Sequence, residues 1–174
     1  MKLKTVLLTM ALSLTPIYAN ATTVNVGFSP EGTAHDLVIS TIDSAKSEIR
    51  MMAYSFTDPD VMKSLIKAKK NGVDIKIVID DKGNRSQAST AAKNLMVNAG
   101  IGIRTNSSYP IQHDKVIIVD EKTVETGSYN YSKAAGNRNS ENVIVLNDVP
   151  SVAKHYLEHW QSRWDQGEDV TSTY

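Results

Sequence analysis

Residues 113–120 have the sequence HDKVIIVD, and residues 127–130 have the sequence GSYN. The four β-branched residues that precede Asp120 favour a β-strand. Side chains two residues apart on a strand point to the same side, so His113 and Lys115 are expected to project together. A base and a fixed cation would then share one side of the strand.

Asp120 has the opposite parity to His113, so it is expected to brace the turn that follows rather than to touch a substrate. By the same rule, Ser128 and Asn130 should project together. A histidine, a lysine, a hydroxyl and an amide at strand ends suit phosphoryl transfer, which needs one nucleophile and several donors for the phosphate oxygens. A serine-hydrolase role for Ser128 is disfavoured, because no G-x-S-x-G motif surrounds it.

Strand-like and helical patterns alternate along the rest of the chain. The strand-like segments are residues 23–28, 49–54, 73–79, 101–104, 115–119, 123–125 and 142–146, and the helical segments are residues 34–45, 58–71, 88–97 and 150–166. In the last helix, one face is expected to be core and consists of Val152, Tyr156, Trp160 and Trp164. Short apolar strands joined through helices tend to pair in parallel. The sequence therefore predicts an α/β fold with a mixed, largely parallel β-sheet sandwiched between helices.

The first 21 residues have the features of a cleavable signal peptide. Lys2 and Lys4 precede an apolar run that is too short to span a bilayer, and a small-residue cleavage site ends at Ala21. Cleavage there would leave residues 22–174, a length that suits a single catalytic domain. No later stretch is apolar for long enough to cross a membrane. We therefore expect a periplasmic protein with no membrane anchor.

The composition excludes cysteine-based sites and makes a nucleic-acid substrate less expected. The chain contains no cysteine, so neither a disulfide framework nor a thiolate zinc site is available. It has 19 lysines and arginines and 19 aspartates and glutamates, so its formal net charge is zero. Affinity for nucleic acid comes largely from neutralising phosphates, so a polyanionic substrate would have to be held by a local basic patch.

The HDKVIIVD and GSYN stretches, followed by Glu141 and Asn142, resemble the HKD signature of the phospholipase D superfamily. The resemblance implies a phospholipase D-like fold. It also implies a two-step cleavage of phosphodiester bonds that needs no metal and no other cofactor. In such a cleavage, one histidine attacks phosphorus and another protonates the leaving oxygen.

The resemblance assigns roles by motif position. His113 is the nucleophilic histidine, and Lys115 and Asn130 hold the non-bridging phosphate oxygens. Ser128 supports the site, and Glu141 orients an imidazole. With the aspartate that completes the motif, the predicted catalytic set is His113, Lys115, Asp120, Ser128, Asn130 and Glu141.

Most members of this superfamily carry two such motifs, whereas this sequence contains one. The chemistry needs two histidines in different protonation states, so a single copy implies a site completed by a second subunit. A twofold interface brings the same patch of each chain to the axis. We therefore expect a homodimer in which the two His113 side chains face each other across one phosphate.

Two metal-binding alternatives are weaker. Residues 155–159, HYLEH, match the H-x-x-E-H pattern of inverzincin proteases, but only 15 residues follow for the further acidic ligand that this site needs. Asp80 and Asp81 could bind magnesium at a strand end, but capping carboxylates explain them as well. The adjacent loop with Lys82, Asn84 and Arg85 is expected to be solvated, or to touch a DNA backbone. His35 carries no interpretable signal.

The leading functional hypothesis is a periplasmic dimeric endonuclease that hydrolyses DNA, with RNA left open as a second substrate. The alternative is a phospholipase or another small phosphodiesterase with the same chemistry. A bilayer enzyme usually needs an exposed amphipathic or aromatic surface, and no extra segment of that kind is apparent. A third hypothesis, a nucleic-acid-binding module that has lost catalysis, conflicts with the intact set of histidine, lysine, serine and asparagine.

Overall fold

The structure is a computed structural model that describes residues 22–173. The signal peptide predicted for residues 1–21 lies outside the described residues. Among the helices of the described part, none is long and apolar enough to cross a membrane.

Strands and helices alternate through the first two thirds of the described chain. The strands are β1 (Thr23–Ser29), β2 (Glu48–Ala53), β3 (Asp74–Asp80), β4 (Gly102–Asn106), β5 (Lys115–Val119), β6 (Thr123–Gly127), β7 (Glu141–Asn147) and β8 (Glu168–Asp169). The α-helices are α1 (Thr33–Asp43), α2 (Pro59–Lys70), α3 (Gln87–Asn98), α4 (Lys133–Asn137) and α5 (Pro150–Asp165). The boundaries of β5 coincide with the predicted strand. The short elements α4 and β8 were not predicted.

The eight strands form one sheet in the order β1-β7-β6-β5-β2-β3-β4-β8. A mixed sheet with helices confirms the predicted α/β class. The expectation of a largely parallel sheet is wrong, because only β2–β3 and β3–β4 pair in parallel and the other five pairings are antiparallel. Strands β5 and β6 are joined by a tight turn, and a turn of that length can connect only antiparallel neighbours.

Helices cover both faces of this sheet. The larger apolar cluster joins α1, α2 and α3 to one face, where Ile117 and Val119 of β5 point. The other face packs against α5 through Val116 and Ile118 of β5. Trp160 of α5 is 3% exposed in this second cluster. The partly buried Val152, Tyr156 and Trp164 pack around it, which confirms the predicted inner face of the helix.

The N-terminus of α2 forms as the sequence predicts. Asp58 is the N-cap, its carboxylate accepts the backbone N–H of Asp60 at 2.9 Å, and Pro59 occupies the first helical position. A carboxylate at this place satisfies an amide that the helix itself cannot pair. The backbone N–H groups of Thr57 and Asp58 donate to the carbonyl of Tyr131. The start of α2 is thereby fixed to the segment that follows β6.

Glu125 lies on β6 and is fully buried. Its Oε2 accepts the hydroxyl of Tyr131 at 2.8 Å, while its Oε1 has no hydrogen-bond partner within residues 22–173. Burial raises the pKa of Glu125 to about 8, and the hydrogen bond from Tyr131 only partly opposes this shift. A single neutral donor is too little to stabilise a buried carboxylate, so Glu125 is protonated at neutral pH.

The raised pKa of Glu125 predicts that the free energy of unfolding declines with rising pH, and that this decline depends on Glu125. In the unfolded chain, Glu125 loses its proton near pH 4.5, whereas the folded chain keeps it until about pH 8. The stabilisation is therefore present below pH 4.5 and lost as the pH rises to about 8. Between pH 4.5 and about 8, the free energy of unfolding should fall in both proteins. The fall should be about 1–4 kcal/mol larger in the wild type than in the Glu125→Gln variant. Urea unfolding across the range measures the difference.

The control is Glu158→Gln, which changes an exposed carboxylate on α5. This variant should follow the wild-type pH curve. If Glu125→Gln also follows it, the buried carboxyl does not hold its proton as described.

Candidate active site

The antiparallel strands bring most of the predicted site residues to one edge of the sheet. Strands β2 and β6 end at this edge, and β5 and β7 begin there. The register pairs Ala53 at the end of β2 with Lys115 at the start of β5, and Gly127 at the end of β6 with Val143 of β7. Residues that are far apart in sequence thus become neighbours, since adjacent strands lie about 4.8 Å apart.

His113 and Lys115 share one side of this edge, as the parity argument predicts. His113 is exposed and lies two residues before the start of β5, and its ring centroid lies 4.7 Å from that of Tyr54. The Nζ of Lys115 lies 5.1 Å from the centroid of the same Tyr54 ring. Tyr54, which follows β2, therefore contacts both the base and the cation. No pattern in the sequence marks Tyr54 as a site residue.

Lys115 is 5% exposed. The one hydrogen bond of its ammonium within residues 22–173 is donated to the carbonyl of His113 at 2.8 Å. Burial lowers the pKa of Lys115, and the negative charges of Asp114 and Glu141 counteract this effect. An ammonium has three donors, so Lys115 can bond a phosphate oxygen without giving up its present contact. A bound phosphate would also favour its charged form.

Ser128 and Glu141 form the second part of the site. The Oγ of Ser128 donates to the Oε2 of Glu141 at 2.5 Å and accepts the backbone N–H of Asn142 at 3.0 Å. The other carboxylate oxygen of Glu141 accepts the amide of Asn139 at 2.9 Å. No histidine lies within ion-pair distance of Glu141 in the part of the chain that the structure describes. The predicted role of Glu141 in orienting an imidazole therefore stays a prediction.

Asn130 and Gln112 carry polar atoms that the protein does not satisfy. The Oδ1 of Asn130 is buried without a hydrogen-bond partner among the described residues, and so are both amide atoms of Gln112. Gln112 is 2% exposed and directly precedes His113. Buried polar atoms are nearly always paired in folded proteins, and exceptions cluster at functional sites. These two amides mark the same edge as the histidine, and Gln112 was not predicted.

Asp120 lies at the opposite end of β5 from His113. Its carboxylate accepts the backbone N–H groups of Lys46, Ser47 and Glu48, at distances from 2.8 to 3.2 Å. Burial alone would raise its pKa, but these hydrogen bonds hold the pKa of Asp120 below its usual value. We therefore remove Asp120 from the catalytic set. Its contacts agree with the bracing role that strand parity predicts.

A pair of buried polar residues holds this edge together. The Oδ1 of Asp80 accepts the backbone N–H of Gln112 at 2.7 Å, and its Oδ2 accepts that of Gly83 at 2.6 Å. The side-chain amide of Asn84 donates to the carbonyls of Tyr54 and Asp80. Asp80 and Asn84 thus tie the end of β2 and the residue before His113 to the end of β3.

The contacts of these side chains also argue against the two metal-binding alternatives. Both oxygens of Asp80 are used by backbone donors, and Asp81 forms an ion pair with Arg85. On α5, His155 contacts Glu158, whereas His159 lies 3.3 Å from Asp114. Within residues 22–173, the group of His and acidic side chains whose ligand atoms lie close enough together to share a metal ion contains none of these side chains. The expectation that the α5 histidines are ordinary surface residues agrees with their exposure.

Comparisons with known proteins identify the family of this chain. A family model described as a cardiolipin synthase, PLD-like domain matches residues 38–164. The chain belongs to the phospholipase D superfamily. A phospholipase D from Rickettsia bellii is 38% identical over 140 residues, which cover 80% of this chain and 68% of that protein. The crystal structure of Nuc from Salmonella typhimurium, a phospholipase D family member, shares 61% identity at a TM-score of 0.87 and covers 87% of this chain and 100% of Nuc.

A more distant solved structure shares the fold. NucT from Helicobacter pylori is 21% identical, with a TM-score of 0.74 over 86% of this chain and 100% of that chain. Membership of the phospholipase D superfamily, together with the likeness to Nuc, makes this protein a phosphodiesterase, that is, a hydrolase of ester bonds.

The tie between Asp80 and Gln112 predicts an effect on phosphodiesterase turnover. In Asp80→Asn, one of the two backbone N–H groups would face an amide nitrogen and lose its acceptor, which should lower the free energy of unfolding by about 1–3 kcal/mol. The segment before His113 would shift, and a displacement of about 1 Å can reduce kcat by roughly a hundredfold. Hydrolysis of bis(4-nitrophenyl) phosphate and urea unfolding measure the two effects.

Asp81→Asn is the matched control, because Asp81 is the next residue and pairs only with the exposed Arg85. Its kcat and stability should stay close to those of the wild type. Equal losses in the two variants would show that Asp80 has no special positioning role.

Proposed function

We propose that this phosphodiesterase is an endonuclease that cleaves DNA, with RNA as a second substrate to be tested. The observation that carries the proposal is the exposed His113 beside Lys115, with unpaired amides around both. Both are held at an open sheet edge, which an extended polymer can reach. The 61% identity to Nuc over its whole length supports the same conclusion.

The proposed reaction has two displacements. An imidazole nitrogen of His113 attacks phosphorus, the bond to the leaving oxygen breaks, and a second imidazole donates the proton that this oxygen needs. Water then attacks the phosphohistidine and transfers a proton to the second imidazole, and the bond between nitrogen and phosphorus breaks. Lys115 and Asn130 stabilise the charge on the non-bridging oxygens, and Ser128 and Glu141 support them.

The second imidazole is proposed to be that of the partner's His113. The chain has four histidines. His35 lies on α1 beside Asp58, and His155 and His159 lie on α5. Within residues 22–173, the ring partner of His113 is Tyr54, and His159 of α5 pairs instead with the neighbouring Asp114 at 3.3 Å. We therefore propose that one chain supplies only half of the acid–base chemistry. A homodimer with both copies at the twofold axis would complete it.

An uncovered apolar face beside this edge suits such a dimer. Val24, Val26 and Phe28 of β1 are each more than 50% exposed and alternate along one face of the sheet. Helix α5 packs over β2 to β6, on the same face, without covering β1. Phe28 lies opposite Asn142, whose backbone N–H bonds Ser128. We propose that a second copy of this chain covers the face and thereby brings the two half-sites together.

A phospholipase function is the second candidate, favoured by the 38% identity to the phospholipase D of Rickettsia bellii. The two candidates share the histidine chemistry and differ in substrate. Parallel assays on plasmid DNA, RNA and phosphatidylcholine vesicles separate them. Export to the periplasm is likewise proposed, from the signal-peptide features of residues 1–21.

The shared-site proposal predicts how activity depends on His113. In the presence of EDTA, the wild type should cleave plasmid DNA and His113→Asn should not, because the nucleophile is a side chain rather than metal-bound water. When equal amounts of the two proteins exchange subunits at random, only dimers with two wild-type chains have both imidazoles. Activity should then fall to about a quarter of that of the same total amount of wild-type protein.

A decrease to one half would mean that each chain acts alone, which contradicts the shared site. Cleavage that strictly requires Mg²⁺ would contradict the histidine mechanism itself. His155→Ala, on the exposed side of α5, is the control and should leave the activity unchanged.

The apolar face of β1 predicts a variant that separates the subunits. Val26→Asp places a charge at the centre of the proposed interface, where burial would cost several kcal/mol without a partner. Analytical ultracentrifugation should detect a monomer, and DNA cleavage should be lost. Leu95→Asp changes an apolar residue of α3 that is 47% exposed, and it should leave the protein dimeric and active. A fully active Val26→Asp monomer would contradict the model.

A further inference from the structure

A second cluster of polar side chains lies away from the catalytic edge. It consists of His35 on α1, Asp58 at the N-cap of α2 and Asp60 in the first turn of α2. One ligand atom of each lies within 4.8 Å of the others. The Nε2 of His35 lies 3.7 Å from the Oδ2 of Asp58, which is too long for a direct hydrogen bond. The proposed function uses none of these residues.

The three side chains border a cavity of about 220 Å³. The cavity is lined by Gly32, His35, Asp36, Asp58, Asp60, Lys133, Gly136 and Asn137. Three carboxylates face it against one lysine, so its potential favours a cation. Asp58 is 1% exposed, which makes its carboxylate the deepest charge in the group. A buried carboxylate needs a charged or hydrogen-bonding partner.

A second, independent observation also points to a ligand, and it concerns Tyr129, which lies behind the lining residue Gly136. The hydroxyl of Tyr129 is fully buried and has no hydrogen-bond partner among the described residues. It lies 2.9 Å from the position that a Cβ on Gly136 would take, and the side chain of His35 lies 3.7 Å from that position. The glycine thus leaves the space between Tyr129 and His35 open. Burial raises the pKa of Tyr129, and the nearby charge of Asp58 raises it further.

A buried hydroxyl needs a hydrogen-bond partner, and a water bound to a cation can donate one to the hydroxyl oxygen. The donor set of one imidazole and two carboxylates suits a borderline ion such as Zn²⁺, which takes nitrogen and oxygen ligands in tetrahedral sites. Mg²⁺ and Ca²⁺ prefer sites made entirely of oxygen. The competing partner of Asp60 is Lys63, whose side chain is 75% exposed and free to move away.

We propose that His35, Asp58 and Asp60 bind one Zn²⁺ ion, with a water molecule as the fourth ligand that donates a hydrogen bond to the hydroxyl oxygen of Tyr129. The ion would join α1 to the start of α2. The backbone N–H groups of Thr57 and Asp58 hold the carbonyl of Tyr131 at 2.8 and 2.9 Å, so the same ion would stabilise the segment that carries Asn130. Its role is structural, and the reaction at His113 does not pass through it.

Zn²⁺ binding to the purified, metal-free protein tests the proposal. Calorimetric titration should give one Zn²⁺ per chain, and at a free concentration about 100 times Kd the midpoint of thermal unfolding should rise by about 5–10 °C. His35→Gln and Asp60→Asn should each lose at least about tenfold in affinity and most of this rise. Asp60 is half exposed, so its variant is expected to fold even if that of His35 does not.

Two control variants locate the ion. His155→Ala removes the exposed histidine–glutamate pair of α5, and His113→Asn removes the catalytic imidazole. Both should retain the single site and the full thermal shift. Loss of the site in His113→Asn would place the ion at the catalytic edge and overturn the proposal. An equal shift in all variants, a response only to Mg²⁺ or Ca²⁺, or no response of the wild type to Zn²⁺ would overturn it as well.

Because thermal unfolding and stoichiometry are measured without substrate, this test is independent of the proposed nuclease activity. Cleavage of DNA in EDTA at a temperature below the metal-free midpoint should persist, since the ion is not part of the reaction. Failure of one proposal therefore leaves the other standing.

Discussion

The antiparallel register of β2, β5, β6 and β7 is the constraint on which the site depends. It fixes one edge where two strands end and two begin, so that His113, Ser128 and Glu141 lie at the same edge although 28 residues of sequence separate the first from the last. The register leaves little tolerance at Gly127. A Cβ at that position would lie 2.2 Å from the carbonyl oxygen of Asn142, so any larger residue would push β6 and β7 apart. Close packing of β6 against β7 therefore explains why residue 127 is a glycine, without any role in catalysis.

Three acidic residues near this sheet show how the surroundings set the state of a carboxyl. Asp120 accepts several backbone N–H groups and stays ionised, because those donors replace the lost water. Glu125 is buried with one neutral donor and holds its proton. Glu141 is partly exposed and divides its two oxygens between Ser128 and Asn139. Of the three, Glu141 is the one whose partly exposed carboxyl group lies at the edge that carries Ser128.

The parts of the fold and site that the sequence predicts are those encoded by local pattern. Strand β5 was placed correctly because four β-branched residues are bounded by polar ones, and the α5 face was placed because its spacing is helical. Strand direction was predicted poorly, since it depends on connection lengths and on long-range pairing that periodicity does not encode. Tyr54 and Gln112 were missed for a related reason, and the expectation that Asn84 is solvated is wrong for the same reason, because Asn84 is fully buried. Each acts through a contact with a residue at least 28 positions away or through a buried amide, and no single-sequence pattern marks such contacts.

Neutral net charge and phosphate binding are compatible because the relevant charges are local. Exposed charges are screened beyond about 8 Å at physiological ionic strength, so the balance of the whole chain matters little at the site. Lys115 is buried beside an aromatic ring, where its field is screened less. In the proposed dimer, two such lysines would flank one phosphate, and the positive potential would be confined to the axis. A neutral surface elsewhere would let a cleaved strand leave, whereas a basic surface would retain it by its remaining phosphates. On this argument, concentrating the charge at a shared site serves product release as well as substrate binding.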